Sequence, residues 1–418
     1  MLRVLTIFVV SILALVSALF VVDNALRKWA GHGRVIHVLR PIGRILMIVT
    51  AIGLMPATLV ELLLRRWSGR PLWSLKRTTV GFRRHGKDGS GSWMLTPEVM
   101  AKRDTEYSPE FHHEPQALGS VLEKEEWRPS PKGPVLNRLR GTFAGRQFSC
   151  TNGERTTSYS SGPFTNEVFC LGGSTTFCVE VRDGSTWPSV LQRMIAESNG
   201  AIYKCRNLGI PGTPGLERIW ALRYATDLQS GDIAVFLFGD NDSGWKMYGN
   251  REGMYLDNMP RLLRLLHSLA DILELGGWLY GELAPRYLRR LAVEMAETTI
   301  AAAEDAAEYA RSHGANVLFV LQPNIFTLAR PDDWDRKIIA GTARDLPILL
   351  AAAYERYREW IADSPIAVDA THLFDGESPS PYIGDWGHVN TRGNKLIGEF
   401  VFNQLKTRGL LAPASKLK

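Results

Sequence analysis

The sequence predicts an α/β domain: a mostly parallel five-stranded sheet covered by helices. The first observation behind this is a series of short apolar runs, Val168–Leu171, Ile202–Arg206, Ile233–Phe238, Asn316–Leu321 and Ile366–Asp369. Runs this short and continuous suit strands buried on both faces. The second is what lies between them, amphipathic stretches at Trp187–Ser198, Leu216–Leu228, Arg286–Ser312 and Pro347–Ile361, with a last helix from about Thr391 to Lys406. Strand and helix in alternation read as crossover units of a parallel sheet. The third is that residues able to do chemistry follow the strand ends, where open α/β sheets bind ligands.

The rest of the 418-residue chain is organised differently. Residues 1–66 read as a membrane anchor with two transmembrane helices, about 4–22 and 45–64. Val4 to Val22 is almost wholly apolar and long enough to cross a bilayer, and no small-residue cleavage site follows it. The second stretch is interrupted only by Pro56 and Glu61, both tolerated in such a helix or at its end. Residues 67–134 are polar and aperiodic, as expected of a linker or cap. The catalytic domain is expected over 135–410, with an insertion at about 243–291 whose leucine-rich segments suit a helical hairpin packed on the domain. A lid or a lipid-touching surface is the other use of such an insertion.

The formal charge is +6, and much of it lies at Arg65, Arg66, Arg70, Lys76, Arg77, Arg83, Arg84 and Lys87. Basic residues next to an apolar stretch fix topology or meet anionic headgroups, so the expected partner is the lipid bilayer rather than nucleic acid. Cations flank both predicted helices, and the face of the membrane that carries the domain stays open. The four cysteines, Cys150, Cys170, Cys178 and Cys205, form no CxxC pair and no zinc spacing with histidine. They read as small buried hydrophobes, with a disulfide left open. His112-His113-Glu114 has no partners at ligand spacing and reads as a surface loop.

Four short segments carry the chemistry: Gly172-Gly173-Ser174-Thr175, Asn207-Leu208-Gly209, Gly239-Asp240-Asn241-Asp242 and Asp385-Trp386-Gly387-His388. A serine hydroxyl attacks only when a base removes its proton, and Ser174 lies just past a strand and two glycines, where the chain can turn sharply. His388 is the expected base. Asp385, about one helical or 3₁₀ turn earlier, is placed to fix its tautomer and stabilise the imidazolium. The oxyanion needs donors already in place, for which the backbone amides of Ser174 and Gly209 and the side chain of Asn241 are the candidates. Each segment alone has a plainer explanation: turn glycines, turn chemistry at Asn241, and a helix-start pair at Asp385 and His388; the Asn241-Asp242-Ser243 glycosylation sequon is discounted because the site should be recessed. Asn390 and Thr391 could cap the last helix.

In these four blocks the chain resembles the SGNH/GDSL hydrolases, named for Ser, Gly, Asn and His. The resemblance runs from about Tyr107 to Leu405. Asn152-Gly153-Glu154-Arg155-Thr156 and Ser185-Thr186-Trp187-Pro188 look like segments that flank the serine in envelope-associated bacterial members. The first block reads Gly-Gly-Ser-Thr where the namesake has Gly-Asp-Ser-Leu. The resemblance implies a three-layer α/β/α domain of flavodoxin-like type, no metal or organic cofactor, and an acyl-serine intermediate.

The expected function is a membrane-anchored serine esterase or acylhydrolase, with O-acetyl groups of a cell-envelope glycan as a candidate substrate. An O-acyltransferase acting on a saccharide and a lipid-directed acylhydrolase share the same triad. A non-catalytic, membrane-tethered module is the alternative from another class.

Overall fold

The computed structural model describes Leu63 and residues 122–129, 134–160, 162–199, 203–242, 260–263, 266, 274–342 and 345–411. Apart from Leu63, both stretches expected to cross the membrane lie outside them. Among the described residues, no helix is long and apolar enough to span a bilayer. The chain divides into two compact units, residues 1–77 with 259–284, and residues 78–258 with 285–418. In the first, the described residues other than Pro260 are helical, and Leu263, Leu266, Tyr280 and Ala284 are buried.

The second unit opens with a two-stranded ladder, β1 (Glu123–Trp127) antiparallel to β2 (Leu136–Arg140). Part of it falls within the stretch expected to be linker. It was hidden because charges rather than alternating apolar residues hold it: Glu125 pairs with both Arg138 and Arg140, and Arg138 stacks 5.5 Å from the Trp127 ring.

The main sheet has eight strands, not five. Three short ones come first, β3 (Phe143–Ala144), β4 (Ser149–Thr151) and β5 (Glu154–Arg155). Then follow β6 (Asn166–Leu171), β7 (Tyr203–Asn207), β8 (Ile233–Phe238), β9 (Asn316–Leu321) and β10 (Ala367–Asp369). The order is β10-β9-β8-β6-β7-β5-β4-β3. The last five are all parallel and match the predicted strands, while β5, β4 and β3 extend the sheet antiparallel from β7. Two or three residues are too few to show a period. The Asn152-Gly153 turn between β4 and β5 was the available signal: both residues have positive φ, 52° and 79°, as a two-residue hairpin turn requires.

Seven helices are used below: α1 (Ser174–Phe177), α2 (Trp187–Asn199), α3 (Gly215–Ala225), α4 (Glu274–Ser312), α5 (Asp333–Gly341), α6 (Leu346–Asp363) and α7 (Thr391–Thr407). One sheet face packs Val168, Cys170, Cys205, Val235, Leu318 and Val320 under α2 and α7, with Trp187, Leu191, Ile397 and Val401. The other packs Phe236, Phe238 and Phe319 against Tyr357 and Trp360 of α6. The parallel strands run β10-β9-β8-β6-β7, the doubly wound order in which the direction of winding reverses between β6 and β8. A binding crevice belongs there, at the carboxyl ends. α4 begins at Glu274 rather than Arg286 and carries Pro285 inside it. α5 was not anticipated, although Asp332 and Asp335 close a reciprocal capping box at its start. All four cysteines are buried and free.

Candidate active site

Ser174 begins α1, directly after the Gly172-Gly173 turn that leaves β6. A side chain on Gly173 would sit 2.1 Å from Asn241 Nδ2 and 3.0 Å from the Thr213 carbonyl. Only glycine lets the third block close on the first. Gly209 has the same role for the second block, since a Cβ there would lie 2.3 Å from the Phe177 amide nitrogen. Gly387 in turn leaves room for Asp240, whose Oδ2 is 2.1 Å from where a Cβ would be. The four blocks, distant in sequence, meet beyond the carboxyl ends of the central strands.

The histidine loop is built stiffly. Ile383 N donates to the His388 carbonyl at 3.1 Å, Ile325 N to the Trp386 carbonyl at 2.8 Å, and Trp334 Nε1 of α5 to the Ile383 carbonyl at 3.0 Å. Asn390 caps α7 by accepting from Gly393 N at 2.9 Å, so Asp385 is free of capping duty. Asp385 and His388 are not joined by a helical or 3₁₀ turn. The carboxylate makes the turn itself: Oδ1 accepts from the amides of Gly387 at 2.9 Å and His388 at 2.7 Å, while Oδ2 meets His388 Nδ1 at 2.5 Å. Burial opposes ionisation of Asp385, but His388 outweighs it and holds the carboxyl below the usual carboxylate range.

Ser174 is half-buried, and among the described residues its hydroxyl makes no hydrogen bond. As the first residue of a helix, its amide has no intrahelical acceptor to serve. Asn241 Nδ2 donates one hydrogen to the Thr213 carbonyl at 3.2 Å, leaving its second N–H for another acceptor. Half-buried against Gly173, it is a poor glycosylation acceptor. Gly209 differs: its single N–H is bonded to Asn207 Oδ1 at 3.1 Å and reaches an oxyanion only by sharing or leaving that bond.

Three contributors were given no role from the sequence, although Arg155 lies in the Asn152–Thr156 segment noted above. Gln322, just past β9, accepts from Thr175 Oγ1 at 3.0 Å and ties the serine segment to the next strand. The strand-end rule that found the other residues would also have found it. Arg155 of β5, fully buried, donates to the carbonyls of Phe177 at 3.2 Å, Cys178 at 2.8 Å and Val181 at 2.7 Å. Its Nε also pairs with Asp183 at 2.7 Å, so one guanidinium fixes the whole turn after α1. That turn carries Glu180, buried, with Oε1 at 3.3 Å from His388 Nε2. Its one sequence signal is a carboxylate between two valines. Burial alone would lower the His388 value, but Asp385, Glu180 and Asp240 together raise it to about 10.

Asp240 is buried, and its Oδ1 has no hydrogen-bond partner among the described residues; burial pushes its carboxyl well up. Asp242 is structural, accepting from Leu216 N at 2.7 Å and Gly239 N at 2.9 Å and so joining the end of β8 to the start of α3. Among the described residues, no group of histidine, cysteine and carboxylate side chains is arranged to hold a metal ion.

No family model matches this chain. No curated protein matches it either. Solved structures do. The chain is similar to G-D-S-L-type hydrolases. A lipase from a goat rumen metagenome is 13% identical, covering 59% of this chain and 98% of its own, with a TM-score of 0.37. A GDSL-like lipase from Bacteroides thetaiotaomicron is 14% identical over 58% of this chain and 88% of its own, with a TM-score of 0.31. TesA is 16% identical over 58% and 99%, with a TM-score of 0.33.

Proposed function

We propose that this chain is a membrane-anchored serine ester hydrolase of SGNH/GDSL type, working through an acyl-serine. The observation that carries the reading is the buried Asp385–His388 pair, with Gly387 closed on Asp240 and the neighbouring Asn241 amide packed on Gly173, directly before Ser174. In the proposed reaction, His388 Nε2 takes the Ser174 hydroxyl proton as Oγ attacks the acyl carbon. The oxyanion is met by the Ser174 amide and the free N–H of Asn241, with Gly209 contributing when its amide turns from Asn207. His388 then protonates the departing alcohol. Water, activated by the same imidazole, releases the acyl group and restores the serine.

The anchor and the envelope setting rest on the apolar stretches in residues 1–66, and O-acetyl groups of a cell-envelope glycan are the substrate we propose. A sugar hydroxyl in place of water turns the same cycle into acyl transfer, and a long-chain ester turns it into lipid hydrolysis. The proposed test is turnover of a short-chain ester by the detergent-solubilised chain, followed by digestion and mass spectrometry of the Ser174 peptide. The reading requires an acyl mass increment on that peptide. Turnover with acylation at a different residue contradicts it.

A further inference from the structure

His388 has two carboxylate neighbours, and the scheme above uses only one. Asp385 occupies Nδ1, but Nε2, the atom that must receive the serine proton, lies 3.3 Å from Glu180 Oε1. Glu180 is 7% exposed, and among the described residues its carboxylate makes no other ion pair. Its placement is built rather than incidental. Arg155 binds carbonyls on both sides of it, and Cys178, in the left-handed region at φ 57°, turns the chain out of α1 toward it. Asn394 of α7 accepts from Cys178 Sγ at 3.1 Å and from Trp187 N at 3.1 Å, tying the chain on both sides of that turn to the helix that follows His388. A carboxylate and an imidazole buried together are stable when they share a proton and costly when either is left charged alone.

We propose that Glu180 is a positioning residue for His388 that competes with Ser174 for Nε2. In the resting site the imidazolium donates its Nε2 proton to Glu180. The site becomes reactive when that proton passes over: the Nε2–H bond breaks, an O–H bond forms on Glu180, and both groups become neutral while Asp385 stays ionised. Below the His388 midpoint this neutral pair is the minor form; above it Glu180 passes the proton on to solvent, so the rate follows the His388 titration. The freed Nε2 lone pair can then take the Ser174 proton as Oγ attacks. The inference rests on the serine-ester reading.

The groups facing His388 are Asp385 on its own loop, Asp240 beyond β8 and Glu180 beyond α1; Arg155 of β5 acts on Glu180. Burial shifts the Glu180 carboxyl upward, toward the range in which it can hold a proton.

The test uses the detergent-solubilised full chain with isotope-labelled histidine. Two quantities are read side by side: the His388 imidazole titration by NMR, and the acid limb of kcat/KM with p-nitrophenyl acetate. In wild type both midpoints should lie above the ordinary imidazole range. Glu180→Gln should lower both together, raising the neutral-pH rate roughly tenfold for each unit the limb moves. Glu180→Asp should return both toward wild type. The proposal is overturned if folded Glu180→Gln leaves either midpoint unmoved. It is equally overturned, with no variant needed, if wild-type His388 titrates as a free imidazole does. Full activity in Ser174→Ala would instead remove the esterase reading, and the NMR titration would still decide the Glu180 contact.

Discussion

In the proposed reaction Ser174 and His388 have roles that no isosteric neighbour can assume. Ser174→Ala and His388→Ala should each abolish ester turnover. Asn241→Ala removes a donor and should cost about 100-fold or more in kcat with little change in KM. Asp385→Asn should fold normally yet lose most activity, because an amide cannot both accept from two backbone N–H groups and hold the imidazolium. Steady-state kinetics beside circular dichroism checks all four. The pair also has a stability signature. His388 is raised to about 10, so its contribution is complete below the free imidazole value and is lost as pH rises through 10. Asp385 is lowered, so its contribution is present above the usual carboxylate range and lost on acidification. The stability gap between wild type and His388→Asn should therefore be widest between the usual carboxylate range and the free imidazole value, and close steadily toward pH 10. Denaturant midpoints across that range measure it, and a gap that widens with alkali contradicts the pairing.

The elements that bring these residues together depend on a few buried polar anchors. Arg155 is the clearest. Arg155→Met would leave the Phe177, Cys178 and Val181 carbonyls without their donor and Asp183 without its cation, at a cost on the order of 3–5 kcal/mol. Arg155→Lys should recover little, since an ammonium cannot reproduce the planar fork. Chemical unfolding gives both numbers, and a near-neutral Arg155→Met would mean the turn is held by other contacts. The same element shows what the sequence could reveal. Ser174 and Asn241 were legible because each lies in a short block just past an apolar strand, and Gly209 and His388 because their blocks complete the same set in order. Arg155 entered only as part of the Asn152–Thr156 resemblance, without a role, and Glu180 not at all, because a single charge in a short strand or turn looks like solvated surface until three-dimensional packing buries it. The parallel strands were legible for the same reason as the motifs. β3, β4 and β5 were too short for any period, and β1 and β2 are held by charge pairs that leave no apolar alternation.

For the whole molecule, the winding reversal between β6 and β8 explains why blocks so far apart in sequence form one site. The apolar stretches of residues 1–66 add a separate expectation, that the full chain stays with membranes through an alkaline carbonate wash. Release into the supernatant would contradict the anchor without touching the chemistry. In the proposed reaction Ser174 is an activated nucleophile. Fluorophosphonate labelling of the purified full chain, wild type beside Ser174→Ala, tests it most directly. A labelled band is expected in wild type, with the adduct on Ser174, and none in the folded variant. Equal labelling of both proteins, or none in folded wild type across the alkaline range where His388 loses its proton, would contradict it.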